Sequence, residues 1–221
     1  MKRRHHLMLG LLALFALPAM ALSEGDAASG VRAALERGAA SAVSSLGRND
    51  GFLGNPAVRI ELPGALKDAA RLLRATGQGR KLDELETAMN RAAEQAVPQA
   101  RTLLVSAVRS MSVEDALQIV RGGDDAVTRF FETKTRAPLA QKFLPIVTRA
   151  TEKQALADKY NAVAGKAAGL GLLRGEDANL QQYVTERTLD GMYRMIAEEE
   201  KKIRQDPIGT GSAILKKVFG G

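Results

Sequence analysis

The sequence has no cysteine and no tryptophan, and its only two histidines, His5 and His6, stand at the extreme N-terminus. Without cysteine no disulfide staples the fold, so core packing alone must hold it. Without an imidazole in the body of the chain, Ser-His-Asp and Cys-His nucleophilic systems lack a group to take the proton. Zinc, copper and haem sites built on thiolate or imidazole ligands fall on the same ground. Carboxylate chemistry survives, as acid/base pairs or as oxygen ligands for hard cations. No cofactor is expected. Aromatic residues are only 4% of the chain, while alanine, leucine and arginine dominate, a composition that favours helices.

Long apolar runs are also scarce: there is one. Lys2, Arg3 and Arg4 precede the run from Leu7 to Leu17, Pro18 breaks it, and Ala19-Met20-Ala21 places small residues at the −3 and −1 positions. This is the pattern of a cleavable signal peptide over residues 1–21, with cleavage before Leu22. The run is about half the ~20 residues that a membrane span requires, and the missing cysteine removes a lipoprotein anchor. The expectation is an exported, periplasmic protein with no transmembrane segment in the mature chain. Three of the 32 Lys and Arg lie in that leader and none of the 25 acids do. The whole-chain charge of +7 therefore falls to 29 cations against 25 acids, a balance of +4. So mild and dispersed an excess argues against a nucleic-acid partner.

Residues 22–221 read as a single all-α, multi-helix domain with one short strand-like segment near residues 57–62. Asp26 can cap a helix to Leu46, with Val31, Leu35, Ala39, Val43 and Leu46 on one face. The turn-rich stretch Gly47 to Pro56 must be a loop. In the following six residues Val58, Ile60 and Leu62 alternate with charged neighbours, and Pro63 ends the pattern. An isolated strand needs a partner for its ladder groups. The segment pairs with another short segment, accepts a second chain by strand addition, or lies extended over the helices.

Helices are then expected from Pro63 to Thr76 and from Arg80 to Ala96, the latter with Leu82, Leu85, Met89, Ala92 and Ala96 inward. Pro98 kinks or restarts the second. Ser112 and Asp115 form a capping box for a short helix that ends at Gly122-Gly123. Asp124 caps the next helix, and Pro138 begins another that Pro145 bends. A further helix runs from Glu152 to Ala168, followed by a loop from Gly169 to Gly175 and a long helix from Asn179 to Arg204. The chain closes with a short helix carrying Lys216 and Lys217 among apolar residues.

The candidate catalytic groups are carboxylates: Glu86, Glu94 and Asp190. Glu86, Asn90 and Glu94 recur every four residues with Arg91 alongside, which gives either a polar cluster in a cleft or a solvated face stitched by ion pairs; the pattern favours the solvated face. Asn90, Arg91 and Ile60 are the candidate contacts for a ligand or partner. Asp190 adjoins an apolar stretch, where a buried aspartate needs an arginine partner, although the pattern favours exposure. Glu198 stands four before Lys202 and Glu200 four before Arg204, the favourable order for helical pairs. Gly77 to Lys81 lacks dinucleotide or P-loop spacing, and Asp124-Asp125 lacks that of a calcium loop, so no metal ligands are expected.

Six segments carry a family resemblance: Asp50 to Ile60 (DGFLGNPAVRI), Met89 to Pro98 (MNRAAEQAVP), Gly122 to Ala126 (GGDDA), Lys142 to Pro145 (KFLP), Ile196 to Glu200 (IAEEE) and Gly209 to Gly220 (GTGSAILKKVFG). Through them the chain resembles, nearly end to end, an exported proteobacterial family known only as a domain of unknown function. The resemblance implies a helical protein with a signal peptide and transfers no activity to any position. From the residues, the expected function is non-enzymatic binding of an envelope protein or a small apolar ligand through a helical core whose proline-kinked helices splay. The alternative is a carboxylate-based hydrolase or lyase on an envelope polymer, needing two carboxyls ~5–9.5 Å apart. Self-association through residues 57–62 is a further possibility.

Overall fold

In the computed structural model of the chain, residues 24–64, 67, 70, 74–75, 77, 79–152, 157–158, 160–161 and 179–206 are described. The expected leader, the interior of the helix expected after Pro63, most of residues 153–178 and the C-terminal segment with Lys216 and Lys217 lie outside the described residues. Six helices are assigned among them: α1 (Glu24–Leu46), α2 (Gly79–Ala96), α3 (Ala100–Arg109), α4 (Val113–Arg121), α5 (Ala126–Thr151) and α6 (Leu180–Gln205). One 3₁₀ turn, Val97–Gln99, joins α2 to α3, so Pro98 reshapes the chain for a single turn and the helix restarts. No strand occurs among the described residues. No described helix is long and apolar enough to cross a membrane.

The helices form because their apolar residues recur at helical spacing and meet in one buried cluster. Leu82, Leu85, Met89, Ala92 and Ala96 of α2 are all fully buried, as are Phe131, Leu139, Phe143 and Val147 of α5. The most extensive contact is between α5 and α6; α2 packs on α5, and α1 packs on α6, α3 and α4. Four buried threonines, Thr135, Thr151, Thr185 and Thr188, each donate to the carbonyl four residues back, at 2.7 to 2.9 Å. Their hydroxyls therefore enter the core without an unpaired group.

Three helix starts differ from the sequence expectation. α1 begins at Glu24, so Asp26 lies inside its first turn and does not cap it. Pro138 does not begin a helix: α5 runs continuously from Ala126 to Thr151 with Pro138 and Pro145 inside it. Each proline lacks the N–H that the carbonyl four residues earlier would accept, and those carbonyls belong to Lys134 and Gln141, on the exposed side of α5. Nor does Asp124 cap α5. The N-cap position is Asp125, whose side chain makes no capping bond. The cap comes from α6: the Glu200 carboxylate accepts from Val127 N at 3.1 Å and Thr128 N at 3.2 Å. Arg204 donates to the same carboxylate at 2.9 Å and to Ile119 O, near the end of α4, at 3.0 Å. The Glu200–Arg204 pair is thus formed at its expected spacing, but as a buried clamp on two other helices. Lys202 pairs with Glu199 at 2.7 Å in place of Glu198, because the three-residue spacing brings that carboxylate closer.

The capping box of Ser112 and Asp115 is formed, with both reciprocal bonds at 3.0 and 2.9 Å. Asn179 caps α6 through Gln181 N and Gln182 N.

Candidate functional site

The segment from Gly47 to Leu62 is not regular structure, yet it is held on the helices at many points. Asp50 adopts a positive φ of 62°, and a Cβ at Gly51 would overlap the Leu46 carbonyl, so the chain turns back sharply as α1 ends. That turn sends Phe52 into the core, where it is fully buried. The alternation of residues 57–62 is real in one respect: Val58, Ile60 and Leu62 are buried while Arg59 and Glu61 are exposed. It does not make a strand, because no second segment pairs with it among the described residues. Its backbone is satisfied by a side chain instead.

That side chain is Asn90. Ile60 N donates to Asn90 Oδ1 at 2.8 Å, and Asn90 Nδ2 donates to Ile60 O at 2.9 Å. A carboxamide presents one donor edge and one acceptor edge, like a peptide group, so one fully buried side chain replaces a strand partner. One turn along α2, Glu94 accepts from Phe52 N at 3.0 Å and Leu53 N at 3.1 Å. Arg91 bridges Glu94 at 2.6 Å and Asp50 at 2.8 Å. One turn the other way, Glu86 pairs with Arg59 at 2.8 Å.

Glu86, Asn90 and Glu94 therefore share one face, but it is not the solvated face that the pattern favours. It is a polar seam buried under the 47–62 segment. Glu86 and Glu94 do not share a partner on it. Glu86 and Glu94 stand about 12 Å apart along the helix axis, and each points at its own backbone or arginine partner. Asn90, Arg91 and Ile60, the expected contacts for an outside partner, bind within the chain. In particular, the Ile60 N–H and C=O that strand addition requires are already paired.

The other side of the same segment borders an open groove with a volume of about 600 Å³. One wall is the backbone from Leu53 to Glu61, and the other is α6 through Tyr183, Arg187, Asp190, Gly191 and Arg194. The two walls approach closely because α6 carries glycine at 191: a Cβ there would stand 2.8 Å from Phe52 Cε1 and 3.2 Å from Val58 Cβ. Tyr183 ties the walls together by donating from its hydroxyl to Glu61 O at 3.1 Å. Asp190 is half-exposed and has arginine partners, Arg136 at 2.7 Å and Arg187 at 3.1 Å.

The charges of the groove are fixed from behind. Burial works against the charge of Arg136, but the hydrogen bonds it donates to Asp190 and Glu186 more than compensate, so its guanidinium holds its proton more tightly than usual. The Lys67 ammonium, hydrogen-bonded to Glu61 at 2.6 Å, holds that carboxyl below the usual range. Arg187 lies over the Tyr183 ring, 5.2 Å from its centroid. Beneath the site, burial pushes the Tyr193 hydroxyl up to about 12; it bonds Thr135 at 2.9 Å, which ties α6 to α5.

By contrast, little space is left between three of the helices. The recess between α1, α5 and α6, lined by Gly38, Phe131 and Ile196 among others, holds about 20 Å³, roughly room for one water. No cluster of three metal-ligating side chains occurs among the described residues. Sequence reasoning singled out Asp190 but missed Arg59, Arg187, Arg194 and Gly191. The signal for the helical part was present: 187, 190, 191 and 194 recur at three and four residues, one face of a helix. Nothing local announced that Arg59 would come opposite.

The chain belongs to the family described as protein of unknown function, DUF4197, whose profile matches residues 21–220. No curated protein and no solved structure matches it.

Proposed function

For this member of the DUF4197 family, we propose an exported, non-enzymatic binding role in the cell envelope, with the groove between residues 53–61 and α6 as the binding surface. The observation that carries the reading is the manner in which the groove wall is held. Buried polar networks are unfavourable unless every member is paired, and here Asn90, Glu94, Arg91 and Glu86 are all paired to immobilise one irregular segment. Irregular segments positioned by a rigid scaffold are where binding residues concentrate. The groove volume also falls in the range typical of ligand sites, ~300–1,000 Å³. Export rests on the charge, apolar run and Ala19-Met20-Ala21 pattern of the first 21 residues. A small apolar ligand inside the helical core loses ground, because the recess there is about 20 Å³. The carboxylate-hydrolase alternative draws no support from Glu86 and Glu94, which hold backbone and arginine partners.

The test is site-specific photocrosslinking in intact cells. A photoreactive residue at the half-buried Ala57, on the groove wall, is compared with one at the exposed Arg101 on α3. Adducts specific to position 57, identified by mass spectrometry of proteins and lipids, support the reading. Equal adducts at both positions, or none, overturn it. Fractionation that finds the chain in the cytoplasm with its leader intact overturns the export element.

A further inference from the structure

Resting on that groove, we infer that it recognises an acidic peptide segment, through two carboxylates about 10 Å apart along α6. Three arginines line it: Arg59 on the irregular segment, and Arg187 and Arg194 on α6. Arg187 and Arg194 are seven residues apart, so they project from the same helix face about 10 Å from one another along the axis. Between them the face carries Asp190, already paired with Arg136 and Arg187, and Gly191, with Val58 on the opposite wall.

Two of the three cations are already oriented. Arg59 is fixed through its Nε by Glu86. Arg187 is held by Asp190 and stacked on Tyr183. A guanidinium keeps its full charge when part of its donor fork is engaged, so both still attract a carboxylate. Arg194 is the least engaged: its ion pair is with Glu198 at 3.8 Å, beyond hydrogen-bond distance, and its side chain is 61% exposed. The two carboxylates on the groove, Asp190 and Glu61, each have a further cation behind them, Arg136 and Lys67. They therefore repel an incoming anion less than their number suggests.

A peptide fits this layout because a polyproline II chain advances ~3.1 Å per residue with three residues per turn, so positions three apart share one face ~9 Å from each other. Acidic side chains three positions apart reach both ends of the pair while neutral backbone crosses Gly191. A single phosphate reaches only one end.

The experiment measures binding of tetraglutamate, glutamate, inorganic phosphate and phosphatidylglycerol vesicles to the protein expressed without residues 1–21. Tetraglutamate is expected to bind saturably, about tenfold or more tighter than glutamate or phosphate. Arg194→Ala should weaken it about tenfold, Ala57→Trp should block it, and Arg129→Ala, an exposed arginine on α5 outside the groove, should leave it unchanged. Circular dichroism and thermal melting establish that each variant is folded. No tetraglutamate binding, equal binding of phosphate, equal loss in Arg129→Ala, or vesicle binding in place of peptide binding overturns the inference. The two readings fail separately. Position-57 adducts in cells without anion binding leave the groove and remove the acidic peptide; tetraglutamate binding indifferent to Ala57→Trp removes the groove itself.

Discussion

Removing the Asn90 carboxamide tests whether one side chain stands in for a strand partner. Asn90 makes three hydrogen bonds, two with the Ile60 backbone and one from its Nδ2 to Glu86 O at 2.8 Å. The third matters least, since a helix carbonyl has its own backbone donor. The first two matter because Ile60 and Asn90 are 2% and 0% exposed, so truncation leaves an N–H and a C=O without partners away from water. Each such group costs about 1–3 kcal/mol, and alanine returns about 0.5 kcal/mol of helix propensity. The expected net loss for Asn90→Ala is therefore about 3 kcal/mol. For a chain of this length that lowers Tm by roughly 6–12 °C.

Asn90→Asp sharpens the test. Aspartate keeps the acceptor for Ile60 N but turns an acceptor toward the carbonyls of Ile60 and Glu86. Burial and those carbonyls disfavour the charged form, so the folded pKa of the new carboxyl rises above its unfolded value of ~3.9. A raised pKa makes the variant closest to wild type below that value and progressively weaker as pH climbs through the folded pKa. Urea titrations of both variants between pH 4 and 8 read this directly. A loss under about 1 kcal/mol for Asn90→Ala, together with a pH-independent deficit for Asn90→Asp, refutes the account of the seam.

Two glycines on helices should respond oppositely to alanine. At Gly191 the new Cβ meets the ring of the buried Phe52 at 2.8 Å, so overpacking outweighs the ~1 kcal/mol helix gain and the variant melts lower. At Gly38 the nearest atoms are 3.6 and 3.7 Å away beside an unfilled recess, so thermal melting should show a gain of about 1 kcal/mol; equal signs at the two sites would contradict the packing described. Glu200→Ala strips the cap from α5 and takes the carboxylate away from the largely buried Arg204, a loss of about 3 kcal/mol by denaturant titration; a loss near the ~0.5 kcal/mol of an exposed helical pair would make the clamp incidental. Hydrogen bonds from Ser112 hold the Asp115 carboxyl below its usual range. A depressed folded pKa contributes stability above the unfolded value of ~3.9 that disappears as pH falls below it, so Asp115→Asn should flatten the acid limb of the stability profile and leave its slope near neutrality unchanged.

Whatever depended on neighbours within a turn or two was legible in the residue order. The inward stripe of α2 from Leu82 to Ala96, the Ser112–Asp115 capping box and the restart at Pro98 all follow from 3.6-residue periodicity and local hydrogen bonding. The alternation of residues 57–62 was legible in the same limited way: it states which side chains face inward. It does not state what saturates the backbone, and that choice fell to Asn90, 30 residues away. Glu94 and Glu200 read as surface charges because helical pairing predicts the same spacing. Only the arrival of Phe52 over α2 and of Val127 beside α6, 42 and 73 residues distant, makes them buried caps.

The sequence by itself determined the helices, their apolar faces and, through the absence of thiol and body imidazole, the chemistry the chain lacks. Tertiary structure alone decided that Pro138 would be carried inside one helix, because the carbonyl it leaves without a donor belongs to Lys134 on the exposed side of α5. It also decided that a groove would open beside an irregular segment: two surfaces distant in the chain meet there, and complementarity between them is written in neither one's periodicity.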